Sequence, residues 1–272
     1  MSNISGGTKK SRFSDNPNYN LSPSSTIPIL LVDSTTGDRM LISMKWGLEP
    51  RFTPSHHLTT INARVENVAS SRVVSPLIDS KRCIVIIDAF YEWSHENKDR
   101  IPYLIRYDEA TPERSIPLPN GVSKDSSSSV VDLGDAEDSF SDKCILPKGV
   151  SPLFLAGLYD VSPSSGDYSC TILTTNSSGP TANIHDRMPV LLSPETAQRW
   201  LDCGRSFSDI IPNVEKTCRS LSKNLVCIQV STLVNSVANK SIDVTLPVAE
   251  MKKRSFEKGL GRFFPVKKQK LQ

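Results

Sequence analysis

One acidic residue stands out because it lies between two aromatic side chains shortly after an apolar run. The run is Cys83–Ile87, and Glu92 follows it, flanked by Tyr91 and Trp93. A carboxylate at the end of a buried strand loses hydration, which raises its pKa and lets it hold or donate a proton near neutral pH. The alternative is that Glu92 faces solvent beside two packing rings, because not every perturbed acid marks a functional site.

A row of polar side chains lies in the short extended segment Thr60–Val65. Alternation along an extended chain puts Asn62 and Arg64 on the same side, and Glu66 continues that side. Taken alone, such a row is ordinary solvent exposure. The same holds for His185, which by itself is more readily explained as part of a surface turn.

The composition limits the classes of site that this chain can hold. Its 272 residues are 38% hydrophobic, which is low for a wholly globular chain, and its six cysteines show no zinc-binding spacing. No glycine-rich phosphate loop, signal peptide or 18-residue apolar run is present. We therefore expect neither metal nor cofactor, no membrane partner, and a reducing intracellular compartment.

The charge is spread unevenly along the chain. The total is +3, but residues 251–272 carry +7 and residues 108–142 carry −7, which leaves a mildly basic remainder. Polar composition predicts a disordered leader at 1–18 and a disordered, Ser- and Asp-rich insertion at 108–150. We expect one domain at 19–250 around that insertion, followed by a basic tail at 251–272.

Strand patterns dominate the predicted domain. Short runs rich in β-branched and aromatic residues predict six strands besides the central one. These strands are Ile27–Val32, Met40–Met44, Ile101–Tyr107, Phe154–Tyr159, Tyr168–Thr175 and Leu225–Val230. Ser193 and Pro194 are typical of a helix start and predict a helix to about Leu201, whereas Ser208–Pro212 begins a weaker segment. Many strands with few helices predict an α+β fold whose antiparallel sheet curls toward a barrel.

Several segments occur in an order that resembles one known family. The segments are YNLSP, MKWGLEP, INARVE, KRCIVIIDAFYEW, LFLAGLYD, YSCTILTT, NIHDRMPVLLSPE, WLD and VSTLVN. Together they resemble the SRAP family, the SOS response-associated peptidases that process abasic sites in single-stranded DNA. The resemblance covers about residues 19–240 except the insertion. Each segment is a weak signal, but the ordered set is specific.

The resemblance implies roles for individual residues. Asn62 matches the residue that positions the terminal amine, Glu92 matches the active-site acid, and His185 matches the histidine that hydrogen-bonds the sugar oxygen. Arg64 and Arg187 match arginines that hold backbone phosphates, a contact that gives salt-dependent affinity rather than sequence choice.

Two tryptophans could belong to the same DNA-binding channel. Trp46 and Trp93 could stack on bases or wall the channel, as aromatic residues do in single-strand binders. Packing in the core explains each of them equally well.

The beginning of the chain departs from the family pattern. Members of the family begin Met-Cys-Gly-Arg, and loss of Met exposes a cysteine whose amine and thiol condense with the sugar aldehyde to a thiazolidine crosslink. This sequence begins Met1-Ser2 and has no cysteine before Cys83. Either its true first exon is missing, which we favour, or a diverged protein retains DNA binding and loses durable crosslinking.

The tail suggests a second kind of partner. Leu260, Phe263 and Phe264 resemble the end of the box that docks on the PCNA sliding clamp, although the usual glutamine is replaced by Glu257. The alternative is a solvated basic tail whose phenylalanine pair is incidental. Lysines at 267, 268 and 270 could serve nuclear import or bind DNA, so we expect a nuclear protein.

The sequence is consistent with two functions from different classes. The first is an enzyme, a monomer that crosslinks to abasic single-stranded DNA. The second is a non-catalytic module that binds single-stranded DNA and the clamp. A general protease ranks last, because no Ser/His/Asp or Cys/His set is visible.

Overall fold

Two β-sheets form the framework of the computed structural model, which describes residues 17–33, 35–49, 59–96, 99–108 and 151–261. The larger sheet has eight strands. They are β1 (Thr26–Val32), β2 (Arg39–Trp46), β3 (Asn62–Arg64), β4 (Arg82–Ile87), β7 (Leu153–Val161), β8 (Tyr168–Asn176), β9 (Arg187–Pro189) and β10 (Leu191–Leu192). The smaller sheet has three strands. They are β5 (Phe90–Glu96), β6 (Asp99–Tyr107) and β11 (Leu225–Gln229).

The larger sheet is curled and mostly antiparallel. Its strands follow the order β10-β7-β4-β1-β2-β8-β3, and β7 also pairs directly with β8. The predicted α+β class and the curled sheet are confirmed. One detail differs from the prediction, because β8 pairs in parallel with both β2 and β3.

Three α-helices accompany the sheets in the described part of the chain. They are α1 (Pro194–Leu201), α2 (Phe207–Leu221) and α3 (Val248–Gly261). The predicted start of α1 is confirmed: Ser193 accepts a hydrogen bond from the Thr196 amide, and the Thr196 hydroxyl accepts one from the Ser193 amide. The segment predicted to be weak is a helix of 15 residues that contains Pro212.

A buried arginine fastens α1 to the larger sheet. The guanidinium of Arg82 donates hydrogen bonds to the carbonyl oxygens of Trp200, Asp202 and Arg205 at and beyond the end of α1. The Trp200 indole donates in turn to the carbonyl of Cys83 in β4. These contacts satisfy carbonyls that a helix end leaves without partners. They explain why Arg82, the first residue of β4, is buried.

The expectation that Glu92 stands at the end of the buried apolar strand is wrong. Strand β4 stops at Ile87, and Glu92 is the third residue of β5 in the other sheet, opposite Tyr103. A second, small core lies beneath that sheet and includes Leu104, Val230 and Val244. The chain changes sheets at Asp88–Ala89, which the apolar pattern did not reveal.

The predicted appendages fall mostly outside the described residues. Residues 1–16, 109–150 and 262–272 lie beyond them, so the boundaries of leader, insertion and tail stay predictions. Among the helices described, none is long and apolar enough to cross a membrane.

Candidate functional site

Strand β8 brings two distant segments of predicted site residues together. On one side it pairs with β3, where Arg64 lies opposite Thr174, and on the other side with β9, where Arg187 lies opposite Asn176. Asn62 and Arg64 are exposed, and Ala63 between them is buried, so the predicted alternation is confirmed. The site therefore forms around one end of β8.

An ion pair crosses β8 between these segments. Arg187 donates from both terminal nitrogens to Glu66, at 2.6 Å to Oε1 and 3.0 Å to Oε2. Its guanidinium also donates to Asn176 Oδ1 at 2.6 Å and to the carbonyl of Thr174 at 2.8 Å. The Arg187 hydrogen bonds hold the pKa of Glu66 below its usual value, with a smaller effect from the charge of Arg64.

The imidazole of His185 is held on its Nδ1 side. That nitrogen lies 3.1 Å from both the amide nitrogen and the carbonyl oxygen of Arg187, and 3.2 Å from Asp186 Oδ1. The side chain is 34% exposed, so one edge of the ring is occupied by protein while part of the ring remains accessible. An imidazole oriented in this way can exchange protons through its other nitrogen.

Glu92 from the smaller sheet faces this histidine segment. Burial raises the pKa of Glu92, His185 lowers it, and the carboxylate of Asp186 raises it again. The predicted direction of the shift is therefore confirmed, and its largest cause is the loss of hydration. Glu92 lies in β5 and His185 in the turn before β9, so the fold brings into electrostatic interaction two ionisable side chains that are distant in sequence.

Both predicted DNA-contacting tryptophans are half-buried and hydrogen-bonded to protein. The Trp46 indole donates to the carbonyl of Ile61 at 2.9 Å, directly before Asn62, and packs against the main core. The Trp93 indole donates to Asn235 Oδ1 at 2.8 Å, and the Arg100 guanidinium lies 5.6 Å from its ring centre. The Trp46 ring thus bonds to the residue before Asn62, and the Trp93 ring bonds to Asn235. Contact of either ring with DNA stays a prediction.

Hydrogen bonds hold Tyr19 and Asn20, near the start of the described chain, beside this site. The Tyr91 hydroxyl donates to the carbonyl of Tyr19 at 2.8 Å. Asn20 is buried, and its side-chain amide donates to the carbonyls of Val234, Ser236 and Asn239. The segment that follows the predicted leader is therefore fixed beside the strand that carries Glu92.

The proposed clamp-binding residues stay untested. Leu260 lies in the last turn of α3, and Phe263 and Phe264 lie outside the described residues.

Three further residues, for which no role was predicted, contact the predicted site residues. Asp186 was visible only as the neighbour of a histidine. Glu66 carried a usable signal, because it is an acid on the same side of the chain as Arg64. Asn235 carried none, since its contact with Trp93 spans 142 positions of sequence.

Comparison with known proteins gives the same family on independent grounds. The chain is 30% identical to the Abasic site processing protein HMCES of Xenopus tropicalis over 83% of its own length, and it spans 64% of that relative's length. It is 29% identical to the Abasic site processing protein YoqW of Bacillus subtilis, covering 83% of this chain and 84% of the relative.

Solved structures share the fold at low identity. A protein from Bacteroides thetaiotaomicron has a TM-score of 0.55 at 19% identity and covers 83% of this chain and 82% of its own. A phage-related protein from Bordetella bronchiseptica has a TM-score of 0.53 at 21% identity, with 81% and 84% covered. Residues 3–237 match the family described as SOS response associated peptidase, and this chain therefore belongs to the SRAP family.

Proposed function

We propose that this protein processes abasic sites in single-stranded DNA by reacting with the ring-opened sugar aldehyde. The observation that carries the proposal is the electrostatic interaction of Glu92, in β5 of the smaller sheet, with His185 and Asp186 in the turn before β9. The names of the relatives, which are abasic site processing proteins of the same family, point to the same lesion.

The proposed reaction needs a proton donor at each step in which oxygen leaves. An amine adds to the aldehyde carbon and forms a carbinolamine, which then loses its hydroxyl as water and becomes an imine. Glu92, whose pKa is raised by burial, donates the proton to the leaving hydroxyl, and His185 contacts the sugar oxygen. In the family pattern a cysteine thiol then adds to the imine carbon and closes a thiazolidine.

The N-terminal thiol of the family pattern has no counterpart in residues 1–18, which contain no cysteine. A chain that begins Met1-Ser2 offers an amine, once Met1 is removed by self-processing or otherwise, but no thiol. We expect such a chain to form a transient imine with abasic single-stranded DNA and no crosslink that survives heat. Borohydride should trap that imine, and a denaturing gel should show the trapped product.

A chimera tests whether the site itself is competent. Replacing residues 1–18 with a Met-Cys-Gly-Arg start should give a heat-stable crosslink to abasic DNA and none to intact DNA. Correct placement of the amine contributes on the order of 7–11 kcal/mol in favourable intramolecular cases. A chimera that gives neither a borohydride-trapped product nor a heat-stable crosslink would contradict the proposal. A heat-stable crosslink from the chain that begins Met1-Ser2 would identify a different nucleophile.

A second candidate function rests on the tail. The Leu260–Phe264 sequence favours docking on the PCNA sliding clamp by a protein that binds single-stranded DNA without reacting. Replacing Phe263 and Phe264 with Ala should abolish clamp binding in calorimetry and leave DNA affinity nearly unchanged. The absence of heat from the unmutated tail peptide would end this candidate.

A further inference from the structure

The contact between Glu66 and Arg187 joins the two segments that carry most of the predicted site. Glu66 is the second residue of the 3-10 helix Val65–Ser70 that follows β3, and Arg187 begins β9, two residues after His185. The two side chains meet across β8 through a bidentate ion pair of 2.6 and 3.0 Å. Charge-assisted pairs of this fork geometry fix orientation as well as adding energy.

The guanidinium of Arg187 has no terminal hydrogen left for another ligand. Its four terminal N–H groups are used by two oxygens of Glu66, by Asn176 Oδ1 and by the carbonyl of Thr174. The side chain is 12% exposed, whereas that of Glu66 is 51% exposed. Arg187 is thus covered on its solvent side by Glu66 and held on its inner side by β8.

The main chain of Arg187 holds the catalytic candidate His185. Its amide and carbonyl both lie 3.1 Å from His185 Nδ1, so any rotation of this residue moves the groups that orient the imidazole. Arg187 pairs with Asn176 at the first residue of a three-residue strand, and the Asp186 carbonyl accepts from the Ser177 amide at 2.9 Å. The anchored side chain of Arg187 adds a further constraint on this backbone.

We propose that Glu66 is a positioning residue, which fixes Arg187 through its carboxylate and thereby fixes the orientation of the His185 imidazole. The catalytic part of this inference rests on the proposed function, but the effect on the imidazole does not. Among the described residues, the Glu66 carboxylate bonds to Arg187 and has no hydrogen bond to His185. It acts through Arg187.

A different role for Glu66 would be that of an exchangeable counterion that gives way to a DNA phosphate. The low exposure of Arg187 and its two additional contacts to β8 favour the positioning role, because a phosphate would reach the guanidinium only after Glu66 had left. The two roles are separable, because loss of the Glu66 charge should leave DNA affinity nearly unchanged in the positioning role and raise it in the counterion role.

The test compares Glu66→Gln with the matched control Glu49→Gln in the full chain. Glu49 forms an exposed ion pair with Lys45 at 2.6 Å, so the control removes the same charge from a similar contact. The readout is the pair of ring-nitrogen signals of His185 in nitrogen-15 NMR. The chain has four histidines, and His185→Gln identifies the relevant signals.

In Glu66→Gln we expect the His185 signals to move toward those of a freely rotating imidazole, and in Glu49→Gln we expect no change. Affinity for intact single-stranded DNA should stay within about twofold. Borohydride trapping at saturating abasic DNA should slow by about tenfold to a hundredfold, as small misplacements do, with the half-saturating concentration unchanged. Glu66→Asp, which keeps the charge, should recover part of both effects.

Unchanged His185 signals in Glu66→Gln would overturn the inference. A tenfold gain in affinity for intact DNA would also overturn it, in favour of the counterion role. If neither the parent chain nor the cysteine chimera gives any trapped product, the proposed function fails, while the NMR comparison still decides whether Glu66 positions His185. Melting temperatures within about 3 °C of the parent protein confirm that both variants are folded.

Discussion

At the scale of single residues, Glu92 combines burial with two ionisable neighbours. Its backbone pairs with that of Tyr103 in the smaller sheet, and its carboxylate interacts electrostatically with His185 and Asp186. Burial raises its pKa, which suits a group that must hold a proton and then release it.

Replacing Glu92 with Gln should slow imine formation by a factor on the order of 10²–10⁴, the usual contribution of a general acid. Gln keeps the shape of the side chain and cannot transfer the proton. Borohydride trapping with abasic DNA measures the rate, and Glu49→Gln serves as the control for lost negative charge. An unchanged rate would remove Glu92 from the mechanism.

The same substitution should change stability in a pH-dependent way. Because its pKa is raised, the folded protein binds the proton of Glu92 more tightly than the unfolded chain does. The ionised carboxylate therefore costs stability above its unfolded pKa, and that cost grows until the pH passes the folded pKa. Glu92→Gln should unfold at a higher temperature than the parent protein at pH 8, and the difference should shrink toward pH 4. A difference that grew as the pH fell would contradict the assignment.

At the scale of elements, the short 3-10 helix Gly179–Asn183 delivers His185. The carbonyl of Thr181 accepts from the amide of His185 at 3.1 Å. Gly179 has a φ of +63°, and a Cβ atom there would lie 2.6 Å from the carbonyl oxygen of Ser222. This close approach fixes the position of the 3-10 helix against Ser222, which follows the last residue of α2.

Gly179→Ala should therefore cost about 1–3 kcal/mol of unfolding free energy and slow the reaction of the site, because backbone must shift to admit the methyl group. Gly166→Ala is the matched control. Its φ is +75°, which is also in the left-handed region, but no atom lies within 4 Å of the added Cβ. It should show a conformational cost alone, of roughly 1–2 kcal/mol, with no loss of reactivity. Urea denaturation and trapping assays measure both effects, and equal losses of reactivity would contradict the role of the close contact.

At the scale of the whole molecule, charge rather than base recognition should govern DNA binding. The remainder of the chain outside its acidic insertion and basic tail carries +3, and Arg64 is exposed beside the site. Phosphate contacts of this kind release counterions and carry no sequence information.

We expect preference for single-stranded over double-stranded DNA, with affinity that falls steeply with salt. Arg64→Ala should flatten the slope of log affinity against log salt by about one unit, whereas Arg219→Ala on α2 should leave it nearly unchanged. Titrations at several salt concentrations measure the slopes. A salt-independent affinity in the parent protein would contradict an electrostatic interface.

The sequence by itself determined the local features of this protein. Alternation placed Asn62 and Arg64 on one exposed side, Ser193 and Pro194 marked the start of α1, and apolar runs located the strands. These features depend on near neighbours, because side-chain direction repeats every two residues in a strand and helix ends need capping groups. The ordered motifs also identified the family.

Tertiary structure alone decided how these pieces meet. It divided the run around Glu92 between two sheets, set β3 and β9 on either side of β8, and paired Arg187 with Glu66 at a separation of 121 positions. The raised pKa of Glu92 follows from burial, which a local pattern can suggest, but the opposing effects of His185 and Asp186 arise only from packing. Contacts between distant segments depend on which strands pair and how the sheets pack, and no short stretch of sequence contains that information.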